Sequence, residues 1–230
     1  MNNLKGVGVA LVTPFNEDLS VDFDSLTRLI EYNIENGTNY LVVLGTTAEA
    51  ATLSKEEKKE VIKHVIKINS KRLPLVLGIG GNNTLEVKKQ IEETDLSDFD
   101  AVLSVSPYYN KPNQEGLYQH YKALAETGKQ IIIYNVPGRT GQNIEAATTV
   151  RLANDFPNLF MIKEACPNIN QYFDILRKKP AGFSLVSGDD EYALPVTLAG
   201  GDGVISVIGQ GYPKEFSTML QLAFEGKIKE

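Results

Sequence analysis

The sequence predicts an α/β fold closed into one (β/α)8 barrel, the TIM-barrel architecture. Three observations predict it. Short β-branched apolar runs alternate with amphipathic stretches from one end of the chain to the other. There are eight such strand–helix units, the number that closes a barrel. The chain has 230 residues, and a barrel of this kind runs from about 200 to about 250 residues.

The strands are expected at Gly6–Thr13, Tyr40–Leu44, Leu75–Gly78, Ala101–Ser106, Ile131–Asn135, Phe160–Glu164, Ser184–Ser187 and Gly203–Ile208. Each is nearly continuous in apolar character, as strands buried on both faces are. The helices between them read in order. Leu26, Leu29, Ile30, Asn33 and Ile34 repeat at helical spacing, and Gly37 ends that helix. Ser54 with Glu57 forms a capping box before Val61, Ile62, Val65, Ile66 and Ile68. Thr84 is placed to cap a helix carrying Val87 and Ile91. Leu117, Tyr121 and Leu124 mark the next, and Leu152, Phe173 with Leu176, and Leu194 with Leu198 mark three more. Pro213 opens the last, before Phe216, Leu220 and Ala223. No linker or composition break interrupts residues 1–230, so a single domain is expected. An open doubly wound sheet would show the same alternation, but the segment after the first strand reads TPFNED, with no glycine fingerprint for a dinucleotide.

Composition narrows the function classes. The formal charge of −6 disfavours a nucleic-acid or anionic-membrane surface, which calls for a basic face. No apolar run reaches membrane-spanning length, and the N-terminal stretch MNNLKGVGVALVTPF reads as a strand and not as a secretory leader. The single cysteine, Cys166, excludes an internal disulfide framework and fits a cytoplasmic location.

In such barrels the chemistry sits where the strands end. Strand six ends in Lys163 after an apolar run, which puts its stem inside or at the rim. Burial disfavours an ammonium and leaves a free amine able to attack a carbonyl; position alone reads equally as a rim lysine paired with Glu164 or an aspartate. Tyr134, at the end of the neighbouring strand, could shuttle protons at that nitrogen, or be a core tyrosine. Thr46 and Thr47 offer hydroxyls and an N–H to a carboxylate, or cap a turn. Arg139, after a Pro-Gly turn, suits a bidentate carboxylate clamp, or a solvated loop. Gly188 ends strand seven as a further candidate substrate contact. Asp189 and Asp190 lack a histidine or third carboxylate for a metal and are expected to bond loop backbone. His64 and His120 fall on helix patterns and read as surface residues. Gly200–Gly203 precede strand eight, at the opposite end of the barrel from the chemistry.

The segments GTTAEAATLS, SPYYNKPNQEGLYQHY, YNVPGRTG, IKEA and SGDD, in this order and spacing from Leu4 onward, resemble the dihydrodipicolinate synthase family of pyruvate-dependent class I aldolases. The resemblance implies a lyase that condenses pyruvate with aspartate semialdehyde to give 4-hydroxy-tetrahydrodipicolinate, on the route to lysine and diaminopimelate, without cofactor or metal. It implies Lys163 as the Schiff-base lysine, Tyr134 as the proton-transfer tyrosine, and Thr46 and Tyr109 as its relay partners. Tyr109 would enter from a neighbouring subunit of a homo-oligomer, a dimer of dimers in the family. Thr47 and Ile205 would contact pyruvate, and Arg139 the second substrate's carboxylate. Sialate lyases of the same superfamily lack that arginine, so a sugar-acid lyase is the nearest alternative; a phosphate- or lysine-binding barrel without catalysis is the different-class one.

Two departures stand out. The family usually has glycine where this chain has Ala48, a position strained by about 1 kcal/mol if it needs positive φ. The chain also stops at Glu230, short of the family's C-terminal helical extension. Ala51, Asn82, Glu86 and Tyr108 match residues of the family's lysine feedback site. Lys55 and Lys58, standing where some lysine-sensitive members have histidines, would oppose a cationic ligand, so weak or altered feedback is expected.

Overall fold

The structure is a computed structural model and describes residues 4–229; Glu230, where the chain stops, lies outside them. Eight parallel strands close in sequence order, β1 to β8, into one barrel. The order of elements is β1 (Gly6–Ala10), α1 (Phe23–Glu35), β2 (Tyr40–Val43), α2 (Lys55–Asn69), β3 (Leu75–Gly78), α3 (Thr84–Glu93), β4 (Ala101–Val105), α4 (Gln114–Ala125), β5 (Ile131–Asn135), the single turn α5 (Pro137–Thr140), α6 (Ala146–Asp155), β6 (Leu159–Glu164), α7 (Ile169–Lys178), β7 (Ser184–Ser187), α8 (Ala193–Leu198), β8 (Gly203–Ser206) and α9 (Pro213–Phe224). The open-sheet alternative fails on one pairing: β8 bonds back to β1, with Gly6 opposite Gly203 and Gly8 opposite Ile205. That seam needs glycine. Gly203 has φ of 130°, and a side chain there would meet the Gly6 carbonyl oxygen at 2.0 Å.

Strand alternation sorts the side chains into two cores. Outward-facing Val7, Val9, Leu41, Leu77, Ile133, Ile162 and Leu185 pack with the helices' apolar stripes, including Leu26, Ile30, Val65, Leu117 and Ile175. Inward-facing Tyr40, Val42, Val76, Leu103, Ile132, Tyr134, Met161, Val186 and Ile205 fill the barrel itself. Tyr40 lies fully buried across the interior, in space that Gly8 leaves open: a Cβ on Gly8 would stand 2.1 Å from the tyrosine ring. The barrel is therefore solid at its middle, and only its C-terminal mouth is free for chemistry.

The strand ends differ from the sequence expectation for local reasons. β1 stops at Ala10 because the following chain turns out to a bridge between Phe15 and Val21. β2 stops at Val43, where Leu44 takes a left-handed conformation with φ of 55°. β8 stops at Ser206, and Ile208–Gln210 wind into a 3-10 turn whose Val207 and Ile208 N–H groups donate to Asp190. The Ser54–Glu57 capping box forms at the head of α2, and Pro213 opens α9. The cap of α3 is Asn83, whose side chain accepts from the Leu85 and Glu86 N–H groups; Thr84 is the first helical residue, and its hydroxyl pairs with His120 at 2.8 Å.

That pairing corrects one reading. His120 is no surface residue: it is 2% exposed, wedged edge-on against Tyr121. Burial pushes its pKa down to about 4, so it stays neutral. Its helix faces α3 on the side where a helical pattern shows only an apolar stripe and one polar residue.

Candidate active site

Adjacent strands β5 and β6 set the centre of the site. In their register Tyr134 lies opposite Lys163 and Asn135 opposite Glu164. Tyr134 packs with the interior core, and the Lys163 Nζ stands 4.5 Å from the centre of the Tyr134 ring. The lysine is 5% exposed. Its pKa falls from 10.5 to about 8, first through burial, with the Arg139 charge adding to the fall and Asp190 and Asp189 opposing it. Burial raises the Tyr134 phenol above its ordinary value, while Thr46 and Arg139 draw it back. The mouth thus holds an amine that loses its proton readily beside a phenol that keeps its own. Proton exchange between such groups accompanies carbonyl addition and dehydration.

The reading of Lys163 as a rim lysine paired with Glu164 does not hold. The alternation that turns Lys163 inward turns Glu164 outward, into the layer between the barrel and its helices, where it is fully buried. Its Oε1 accepts from Asn135 Nδ2 at 2.7 Å and from the Cys166 N–H at 2.8 Å. Its Oε2 accepts from Gln171 Nε2 at 2.9 Å. Burial pushes its pKa up to about 7 against the pull of these donors. The Cys166 thiol is also raised, chiefly by burial. Sequence inspection missed this cluster, although counting alternate positions along IKEA would have separated the two charges.

The other predicted residues distribute around the mouth. Thr46 and Thr47 head a 3-10 turn, Thr46–Ala48, directly after β2, so the first N–H groups of that turn have no use within it. Ala48 is buried and its carbonyl accepts from the Thr13 hydroxyl at 2.7 Å. The expected strain at Ala48 is absent: the left-handed residues here are Leu44 and Glu49. Arg139 lies exposed on α5, and its charge reaches both Lys163 and Tyr134. Ile205 is buried in β8 among the interior side chains. Gly188 backs the lysine directly, for a Cβ there would stand 2.7 Å from the Ala165 Cβ and 3.0 Å from the Lys163 Cε. Asp190 secures the loop after β8 through Ser206, Val207 and Ile208. Burial raises the Asp189 carboxyl.

Tyr109 is not brought to this cluster. It is 89% exposed and left-handed, with φ of 73°. Tyr108 and Asn82 do meet, with Asn82 Nδ2 donating to the Tyr108 carbonyl at 3.1 Å. Ala51 and Glu86 are exposed and carry no bond to that pair. Among the described residues no group of three or more His, Cys, Asp or Glu side chains could hold a metal ion, and no helix is long and apolar enough to cross a membrane.

Comparison with known proteins follows the same lines. The model of the Dihydrodipicolinate synthetase family matches residues 3–230. The chain belongs to this family. It is 57% identical over 226 residues to the 4-hydroxy-tetrahydrodipicolinate synthase of Flavobacterium psychrophilum, which covers 98% of this chain and 77% of that protein. The enzyme of the same name from Parabacteroides distasonis is 54% identical, over 97% of this chain and 76% of its own length. Among solved structures, the dihydrodipicolinate synthase of Thermotoga maritima superposes with a TM-score of 0.95 at 40% identity, covering 98% of this chain and 78% of that one. The Acinetobacter baumannii enzyme, solved in complex with pyruvate, gives 0.93 at 44% identity, covering 98% and 77%.

The fit around Lys163 is tight enough to test. Gly188→Ala forces a shift of Ala165, Lys163 or the Glu164 carbonyl, and should lower the unfolding free energy in urea by about 1–3 kcal/mol. It should also slow modification of Lys163 by a small carbonyl reagent. An unchanged midpoint with unchanged labelling would contradict this packing.

Proposed function

We propose that the chain catalyses the 4-hydroxy-tetrahydrodipicolinate synthase reaction, condensing pyruvate with L-aspartate 4-semialdehyde through a Schiff base on Lys163. The observation that carries this reading is the buried Lys163 amine standing over the Tyr134 ring across adjacent strands. The amine attacks the keto carbon of pyruvate, and Tyr134 passes protons as the carbinolamine loses water. The iminium then gives up a methyl proton to become an enamine, whose carbon attacks the aldehyde of the second substrate. The amino group of that substrate displaces Lys163, closing the ring and freeing the enzyme.

The remaining residues take roles that follow from position. Thr46 lies beside the Tyr134 phenol and extends its proton path. The N–H at Thr47 and the main chain near Ile205, with Gly188 behind the lysine, suit the pyruvate carboxylate and methyl. Arg139, exposed at the mouth, suits the carboxylate of the arriving aldehyde. Tyr109 completes the relay of a second copy of the chain, which accounts for an aromatic side chain held in a left-handed, solvent-facing conformation; the working unit is then a homo-oligomer. Reaction of this kind on central metabolites supports a cytoplasmic location.

Incubation with pyruvate and sodium borohydride should add a reduced pyruvate adduct to the peptide that contains Lys163. Turnover should be found with aspartate semialdehyde and not with sialic acid. Absence of the adduct would sink the Schiff-base reading, whereas an adduct with sialate turnover would sink only the choice of substrate.

By resemblance Ala51, Asn82, Glu86 and Tyr108 belong to a lysine feedback site, and Lys55, exposed, and Lys58, half-buried, stand at the start of α2. Their charges oppose a cationic amino acid. Low-millimolar lysine should leave the steady-state rate nearly unchanged; strong inhibition at that concentration would show that these lysines point away from the ligand.

A further inference from the structure

We infer that Glu164 is a positioning residue for this site. Its buried carboxylate, gripped from outside the barrel by Asn135, Gln171 and the Cys166 N–H, holds the ends of β5 and β6 in the register that sets Lys163 against Tyr134, and anchors the loop that carries Arg139. The inference rests on the Schiff-base reading of Lys163.

Adjacency in the chain is the first support. Glu164 and Asn135 directly follow Lys163 and Tyr134, and the two pairs lie side by side in the β5–β6 register. Alternation sends one pair into the barrel and the other out of it. The Asn135–Glu164 bond of 2.7 Å therefore fixes, one residue along, the relative height of the two groups inside.

The second support is where the network leads. Asn135 Nδ2 also donates to Asn143 Oδ1 at 2.8 Å, and Asn135 Oδ1 accepts from the Ile144 N–H at 2.9 Å. Asn143 Nδ2 donates to Gln171 Oε1 at 2.8 Å, and Gln171 Nε2 also reaches the Ile144 carbonyl at 3.0 Å. The Asn143 carbonyl takes a bond from Gln114 Nε2 at 2.9 Å. The segment pinned by these bonds, residues 142–145, follows α5 and Arg139 directly. One buried carboxylate thus ties together the lysine strand, the tyrosine strand, the start of α7 and the return of the arginine loop.

The third support is chemical. All three partners of the Glu164 carboxylate are N–H donors, so the pocket is built to receive an acceptor with two oxygens. Charge-assisted bonds of this kind are stronger and more directional than neutral ones. A buried anion is a costly way to fill space, and apolar packing would do that at least as well. What apolar packing would not supply is a fixed hydrogen-bonded register beside the reacting groups, where a displacement of about 1 Å can cost on the order of a hundredfold in rate.

Glu164→Gln keeps the shape but sets an amide N–H against the Gln171 donor. Gln171 cannot rotate to meet it without breaking its bonds to Asn143 and Ile144. The experiment measures the rate of borohydride-trapped adduct formation on Lys163 per folded molecule, with kcat and the KM for pyruvate, in the wild-type chain and in Glu164→Gln. Adduct formation and kcat should fall about tenfold or more in Glu164→Gln, with the KM for pyruvate little changed. A folded Glu164→Gln protein with a smaller loss, or one whose KM rises while kcat holds, overturns the proposal. If Glu164→Gln does not fold, Gln171→Leu removes one donor from outside the strand. It should slow adduct formation in the same direction, and an unchanged rate overturns the proposal. A wild-type chain that forms no adduct would instead remove the Schiff-base reading itself, a distinct outcome.

Discussion

The structure is organised around one constraint: a lysine amine buried at the end of an apolar barrel. An ammonium there is disfavoured, and the fall of its pKa from 10.5 to about 8 corresponds to a few kcal/mol, on the order of 1.4 kcal/mol for each unit. The cost to folding is absent above the unfolded value of 10.5 and accumulates as pH falls towards about 8. Asp189 and Asp190 at the end of β7 limit it by favouring the ammonium, and Arg139 pushes the other way. The barrel tolerates the cost because its middle is closely packed, with Tyr40 over Gly8 and the Gly6–Gly203 seam. The amine that results gives up its proton more readily than a solvated lysine.

Strand geometry distributes the work around that amine. A parallel strand offers alternate residues to opposite faces, and β5 and β6 use this twice over. Lys163 and Tyr134 meet inside the barrel. Glu164 and Asn135 meet outside, where they can grip helices and loops without occupying the substrate's space. The loops that follow each strand bring the remaining groups: the Thr46–Ala48 turn after β2, the short α5 with Arg139, and the turn after β8 fastened by Asp190. The strands form the scaffold and these loops stand at its rim, as in barrel enzymes generally.

The barrel itself was legible because doubly buried strands leave near-continuous apolar runs and helices leave a stripe. Lys163 was legible because a lysine ending such a run is unusual. Strand ends were overrun where backbone and not side chain decides: Leu44 turns left-handed, and the Val207 and Ile208 N–H groups leave the sheet for Asp190. His120 was misplaced because a helix pattern cannot tell a polar residue aimed at a neighbouring helix from one aimed at water; only the pairing with Thr84 reveals it. The Glu164 cluster was invisible because its members, at 114, 135, 143, 164 and 171, are distant in sequence and share no motif. Tyr109 was assigned by resemblance alone, and within one chain its side chain is exposed.

The most direct test of this account is the titration of Lys163 in the folded, substrate-free protein, by competitive chemical labelling of amines across a pH series with the Lys163 peptide read by mass spectrometry. The account predicts that Lys163 becomes reactive with a midpoint near 8, well below the surface lysines. A midpoint at the ordinary lysine value of 10.5 would contradict it, for the amine would then be solvated and the barrel mouth would not be the dry site that the chemistry requires.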